Sequence, residues 1–411
     1  MRLAWNFMTS MMKRPDNSMD SHAHGQILTM EQTPYYDCVV IGAGIEGSAT
    51  CYQLTKKGVK TLLIEQFKLG HDRGSSHGQS RITRHAYLQK HYAMMMPECF
   101  ETWARLEQEV GTKLYRNVGL MSVNGPPYKD YNNRGGALKD MNKPYELLTV
   151  QQVCQRWPGF SFQPEMKAFV DPSGGVLRAD RCLNALQTMF VKQGGIVREE
   201  EKVLQIIPGK HVTIITNRGR YTAKSVVLTP GSWASQLLRP LGLDPPLKIT
   251  RIKVCYWPEK QPGMFSNYPC FYFLSEKYEA YGLPSAEYPG LVKVCNHQGQ
   301  DLTNPEDRNN EQFTEDIDKL KEFIIEHVPG LVPEPAIIEN CIYTSTPNEE
   351  IILDRHPDHP NIIVGCGFSG HGFKLAPVVG KILSELATGE KPSFDQLPLH
   401  LKSFNKTVAK L

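Results

Sequence analysis

The sequence predicts an α/β fold with a second α+β part built on a mixed sheet. Three observations carry that prediction. Residues 36–41, Tyr-Asp-Cys-Val-Val-Ile, are a short apolar run that reads as a buried strand. A glycine-rich turn, Gly42-Ala-Gly44-Ile-Glu-Gly47, follows at once and opens a helical stretch that reaches Lys57. A second apolar run, 59–64, comes directly after Gly58, a residue suited to ending a helix. Strand, turn, helix and strand make one right-handed βαβ unit.

The later elements follow in order. Residues 179–193 have helical periodicity, 211–216 alternate as a strand, and 222–230 form a buried strand running into Pro230 and Gly231. Residues 251–257 and 291–297 read as strands, with proline- and glycine-rich joints at 260–264 and 282–290. An acidic amphipathic helix is expected over 312–328, a final buried strand over 361–365, and a last helix from Lys374 to Leu386. A discontinuous nucleotide-binding domain is expected over 35–115, 172–240 and 336–395. The substrate domain would then occupy 116–171 and 241–335.

Composition narrows the class. The chain has 411 residues, 40% of them hydrophobic, enough for a large core and two domains. Its net charge of +3 gives no sign of a nucleic-acid partner. No apolar run approaches the roughly 20 residues needed to cross a bilayer, so no membrane partner is expected. The ten cysteines include no Cys-x-x-Cys pair and no zinc-type spacing, so no metal is expected and a reduced intracellular enzyme is. Residues 1–34 are polar and aperiodic and are expected to be disordered. The tail, 396–411, ends in Ala409-Lys410-Leu411, a variant of the Ser-Lys-Leu address read by the peroxisomal import receptor.

Three segments carry chemistry. In the N-terminal turn Gly42 permits the bend, Gly44 lets backbone approach a pyrophosphate, and Gly47 allows close helix–strand packing. The helix N-terminus offers free N–H groups to phosphates. Glu65, about 20 positions after Gly44, can accept from a ribose hydroxyl. This pattern does not separate FAD from NAD, but an acid at 65 argues against NADP. Next comes Arg73-Gly-Ser75-Ser-His77-Gly-Gln-Ser80-Arg81-Ile-Thr-Arg84-His85. It lies where ligands bind such sheets. A helical segment would put Arg81 and Arg84 on one face, and guanidinium groups fork onto carboxylates. Last, Gly365, Gly367, Gly370 and Gly372 crowd one turn, which suits close approach of backbone to a flat ring. The helix that follows would aim its positive end, with Lys374, at that ring.

These motifs stand in sequence order with Tyr281-Gly-Leu-Pro, Lys293-x-x-x-His297 and Cys341-x-Tyr343-Thr-x-Thr-Pro. Together they resemble the monomeric sarcosine oxidase family, from about residue 36 to the C-terminus. The resemblance implies a Rossmann-like FAD domain of the glutathione-reductase and D-amino-acid-oxidase type. It implies FAD bound covalently through its 8α position to the sulfur of Cys341, with Ser75, Arg81, Gly370 and Lys374 also at the cofactor. It implies carboxylate binding by Arg84 and Lys374, oxygen activation by Lys293, and an active site lined by His77, Arg81, Tyr281, His297 and Tyr343. The expected activity is oxidation of secondary amino acids such as sarcosine, L-pipecolate or L-proline, with O2 reduced to peroxide by a peroxisomal monomer. The alternatives are a flavin-dependent amine dehydrogenase with another electron acceptor, and a flavin-binding protein without catalysis.

Overall fold

The structure is a computed structural model and describes residues 33–126, 128, 138–310, 314–394 and 397–405. Nearly all of the 1–34 extension and the Ala409-Lys410-Leu411 ending lie outside the described residues.

The βαβ unit forms as the sequence requires. Strand Tyr35–Ile41 is followed by helix Ile45–Lys56 and strand Thr61–Ile64. Gly58 takes a positive φ of 72°, which frees the chain to leave the helix. Both strands run parallel, pairing Val39 with Leu62 and Ile41 with Ile64. Strand Tyr35–Ile41 lies in the middle of an eight-stranded sheet. Its other neighbour, Arg220–Leu228, is also parallel to it. That strand is long enough to take two further partners. Its first half pairs antiparallel with Val212–Thr216, and its last residues pair parallel with Ile362–Cys366. Residues far apart in sequence are thereby stitched into one layer. Four of its strand segments, Val39–Ile41, Leu62–Ile64, Val226–Leu228 and Ile362–Val364, have nearly zero exposure, so near-continuous apolar runs were needed.

A nine-stranded mixed sheet is built around Lys248–Pro258. It pairs antiparallel with Leu291–Asn296, Gln300–Leu302 and Ile337–Ser345. Its core is aromatic, with Trp257, Phe265, Phe271, Phe273 and Phe323 packed together. Helix Glu315–His327 covers this core and buries Ile317, Leu320, Phe323 and Ile324. A small third sheet joins Ser80–Thr83, Tyr115–Asn117 and Gly175–Arg178.

The last long helix, Gly372–Thr388, closes onto the first one. At Gly380 an added Cβ would sit 2.5 Å from the Ala49 backbone, so only glycine allows this approach. The two ends of the described chain therefore share a core that includes Ala43, Cys51, Leu54, Leu375, Val379 and Leu383.

One condition raised by the sequence is not met. The segment with Arg81 and Arg84 is not helical: Ser80–Thr83 is a strand that pairs Ser80 with Arg178 and Ile82 with Val176. The β-branched pair Ile82-Thr83 favours the extended form, and the sheet edge of Gly175–Arg178 supplies partners.

Candidate active site

A cavity of about 600 Å³ runs between the carboxyl ends of the eight-stranded sheet and one face of the nine-stranded sheet. Gly42, Gly44, Glu65, Ser75, His77, Arg81, Arg84, Tyr281, Lys293, His297, Cys341, Tyr343, Gly370 and Lys374 all line it. Among the sequence-predicted residues Gly47, Gly365 and Gly367 do not. Gly47 lies behind the wall, where an added Cβ would sit 1.9 Å from the Gly42 carbonyl oxygen.

At one end the glycine turn is tightly built. Gly42 has φ 98°, and an added Cβ would meet the Thr229 carbonyl oxygen at 2.4 Å. Glu65 braces the turn: its Oε2 accepts from the Ala43 N–H at 2.8 Å and its Oε1 from the Phe67 N–H at 3.0 Å. The Ile45 N–H is taken by Ser76 Oγ at 3.0 Å. Gly42, Ala43 and Gly44 keep the approach to the helix start small, which fits the pyrophosphate of FAD approaching helix N–H groups.

The basic loop is held by Arg81. Its guanidinium donates to the carbonyls of Ser75 at 2.7 Å, His77 at 2.6 Å and Ser80 at 2.7 Å, and lies over the Phe373 ring. Arg81 thus shapes the wall, with most of its donors already used. Among the described residues Arg84 spends only its Nε, on the Ala86 carbonyl at 3.1 Å, and stacks on Tyr87. Its two terminal nitrogens remain for a ligand. Burial drives the His77 imidazole down to about 4, and its Nδ1 donates to the Gly74 carbonyl at 2.8 Å. His77 is therefore neutral near pH 7.

The C-terminal turn meets both ends of the cavity. At Gly370, with φ 75°, an added Cβ would come within 3.1 Å of the His297 ring and 3.3 Å of Tyr343. At Gly372 it would fall 2.2 Å from Glu46 Oε1. Burial raises the Glu46 carboxyl to about 7. Lys374 is buried in the first turn of its helix and donates to the Gly370 carbonyl at 3.3 Å. Tyr281 and Tyr343 have hydroxyls 3.4 Å apart, and burial pushes both above the usual tyrosine range, so both stay protonated.

Strand pairing places the sulfur and the amine. Cys341 and Tyr343 alternate along Ile337–Ser345, opposite Ile252 and Thr250, so both point to the same face. Cys341 is buried. Lys293 sits opposite Tyr256 on one side and Leu283 on the other.

Sequence reasoning missed what Lys293 touches. Its Nζ lies 3.1 Å from Glu287 Oε1, and the two side chains are 8% and 6% exposed. Glu287 also accepts from the hydroxyls of Ser80 and Tyr256. Burial pushes its carboxyl upward, but Lys293, Ser80 and Tyr256 outweigh that and hold it below the usual carboxylate range. Glu287 falls in the stretch read only as a joint, and its place six residues before Lys293 on a hairpin was the one available signal. Gln187 was missed as well; its amide donates to the Ala43 carbonyl at 3.1 Å and ties the helix Ala179–Lys192 to the glycine turn. None of the ten cysteines is in a disulfide. No cluster of metal-ligating side chains occurs among the described residues, and no described helix is long and apolar enough to cross a membrane.

The comparisons with known proteins agree with this geometry. Residues 37–386 match the family described as FAD dependent oxidoreductase. The chain is 47% identical to peroxisomal sarcosine oxidase of Homo sapiens over 91% of this chain and 97% of that protein. It is 34% identical to monomeric sarcosine oxidase of Bacillus sp. (strain B-0618), over 92% and 97% respectively. Among solved structures, the open form of NikD, an unusual amino acid oxidase, superposes with TM-score 0.80 at 23% identity, covering 90% of this chain and 98% of that one. The L-proline dehydrogenase from P. horikoshii reaches TM-score 0.80 at 19% identity, covering 91% and 99%. With a cavity that joins the glycine turn to Cys341 and Lys293, and with relatives spanning almost its whole length, the chain belongs to the FAD dependent oxidoreductase family, in its sarcosine oxidase branch.

Proposed function

We propose that this chain is an oxidase of small secondary amino acids, sarcosine first among them, with L-pipecolate and L-proline as further substrates and O2 as electron acceptor. One observation carries the reading: a single cavity joins the dinucleotide cradle to a chamber lined by Arg84, Lys374, Tyr281, Tyr343 and His297. FAD, when bound, supplies the chemistry of accepting a hydride equivalent from the carbon beside the substrate nitrogen and handing electrons to oxygen.

The side chains divide the remaining work. Arg84, with its terminal nitrogens unspent, and Lys374 hold the substrate carboxylate. That grip orients the amine-bearing carbon and offsets the ligand's negative charge. The positive charge of Arg84 and Lys374 also favours the neutral amine, the form that can react. Arg81 acts by fixing the loop of Ser75, His77 and Ser80. Neutral His77 and the protonated tyrosines line the chamber and can exchange hydrogen bonds without adding charge. Gly42, Gly44, Gly47, Glu65, Ser75 and Gly370 shape the cofactor walls. Lys293 provides a cation beside the site where oxygen gains charge. Cys341, buried in the wall, is the point of covalent 8α attachment.

The relatives named peroxisomal sarcosine oxidase support a peroxisomal setting, with Ala409-Lys410-Leu411 engaging the import receptor, and those named monomeric sarcosine oxidase support the enzyme acting as a monomer. A second reading, a dehydrogenase that passes electrons to another acceptor, draws on Glu287, which offsets the Lys293 charge. Oxygen uptake and peroxide release with sarcosine, L-pipecolate and L-proline test both readings. Substrate-dependent bleaching of the flavin without peroxide would replace the oxidase reading with the dehydrogenase. No bleaching with any of the three would remove both.

A further inference from the structure

Lys293 begins an unbroken chain of hydrogen-bonding groups that leads away from the cavity. Its Nζ lies 3.1 Å from Glu287 Oε1. Glu287 Oε2 accepts from the Tyr256 hydroxyl at 2.8 Å. The same hydroxyl lies 3.3 Å from Glu339 Oε2, and Glu339 Oε1 accepts from Tyr288 at 2.9 Å. Tyr256 is fully buried, whereas Glu339 is partly exposed, next to exposed Ile338. Glu287, Tyr256 and Glu339 do not line the substrate chamber.

Resting on the oxidase reading above, this chain has a use. Reducing O2 to H2O2 takes two electrons and two protons. The hydride equivalent from substrate brings both electrons and one proton, so the second proton comes from elsewhere. We propose that Tyr256 and Glu287 relay that proton from Glu339 to Lys293. The Lys293 ammonium gives a proton to oxygen and becomes an amine. Glu339, protonated from bulk solvent, gives its proton to Tyr256 as Tyr256 passes its own hydroxyl proton to Glu287; Glu287 then returns a proton to the Lys293 amine, and Glu339 stays ionised until solvent protonates it again. Only N–H and O–H bonds break and form, and the starting charges are restored.

The geometry meets the local requirements. Tyr256 has one hydroxyl proton between two carboxyl groups, so it donates to one at a time and accepts from Glu339 only when that carboxyl is protonated. The groups facing Glu287 are Lys293, Ser80 and Tyr256 on one side. On the other, a pocket of about 30 Å³ is lined by Arg116, Arg178, Asp180 and Arg181. That pocket is a competing entrance for the proton.

The test uses holoenzyme reduced anaerobically by light and then mixed with O2, so it does not depend on the substrate. Y256F keeps the ring and removes only the hydroxyl. It should reoxidise at least about a hundredfold more slowly, the lower end of what a positioned proton donor contributes, while reduction by sarcosine stays near the wild-type rate. E339Q, at the exposed end, should be slowed in the same step and keeps the test open if Y256F does not fold. A readout at rest is the infrared carboxylate band of Glu287, isolated as wild type minus E287Q. Its titration with pH should shift in E339Q, although that side chain does not touch Glu287. Wild-type reoxidation in both Y256F and E339Q would overturn the relay, and slowing in E287Q alone would assign entry to the arginine-lined pocket. Failure of sarcosine to reduce the flavin, with light-reduced enzyme behaving as stated, would instead count against the substrate reading.

Discussion

Replacing Lys293 by methionine should invert the way stability responds to pH. The Lys293–Glu287 pair is 8% and 6% exposed, so solvent screens it little. In the wild type Glu287 is held below the usual carboxylate range, because its partners outweigh burial. A carboxyl lowered on folding adds stability above its unfolded value, and that stability is lost as pH falls. In K293M the cation is gone and burial, the largest influence on Glu287, remains. Its carboxyl should then rise above the usual range. A group raised on folding adds stability at low pH, and that stability is lost as pH rises. Breaking one side of a buried pair costs about 3–5 kcal/mol. With an unfolding entropy of about 2.1 cal/mol/K per residue, that lowers the unfolding temperature of a chain of 411 residues by roughly 5 °C. Calorimetry at pH 5 and pH 8 on wild type, K293M, E287Q and the double variant reads the effect. K293M should lose more at pH 8 than at pH 5. The double variant should recover most of the loss, since neither charge is left stranded. A K293M protein as stable as wild type at pH 8, or a double variant no better than K293M, would refute the reasoning.

Three further outcomes are expected. Acid-denatured wild-type protein should keep its yellow colour through Cys341, and Cys341→Ser should release free flavin to the supernatant. Gly47→Ala should lower flavin content and cost at least about 3 kcal/mol, as overpacking against rigid backbone does, because its Cβ would lie 1.9 Å from the Gly42 carbonyl oxygen; absorbance and thermal unfolding report both. His77 is lowered to about 4 on folding, so the unfolded chain binds the proton first and stability falls as pH drops from about 6.5 toward 4. His77→Gln should flatten that part of the acid-unfolding curve, measured by thermal shift between pH 7 and pH 5.

The parts of the fold that could be read in advance are those whose signal is local. The run Tyr35–Ile41, the glycine turn and Gly58 each announce their own conformation, and the observed βαβ unit matches to within two residues. Gly370 and Gly372 could be read as sites of close approach, although which partners approach, His297, Tyr343 and Glu46, depends on the tertiary fold. Ser80–Thr83 misled because its strand is decided by a partner about a hundred residues on. Helix Lys90–Val110 went unrecognised; it contains Pro97, which locally reads as a break, and is stabilised by burying Tyr92, Met96, Cys99 and Trp103. The pairing of Glu287 with Lys293 and Tyr256 was hard to read for a related reason. Only the register of three antiparallel strands brings the turn 284–290, Lys293 and Tyr256 together.

The docking of helix Gly372–Thr388 on helix Ile45–Lys56 also has a bearing on biosynthesis. While the chain is still on the ribosome, the segment carrying Gly370, Gly372 and Lys374 emerges long after the first βαβ unit. Until it does, the nascent protein has one flank of its nucleotide site and no opposite flank. Flavin capture should therefore wait for this segment, and products of premature termination upstream of Gly372 should be colourless however well their first βαβ unit folds.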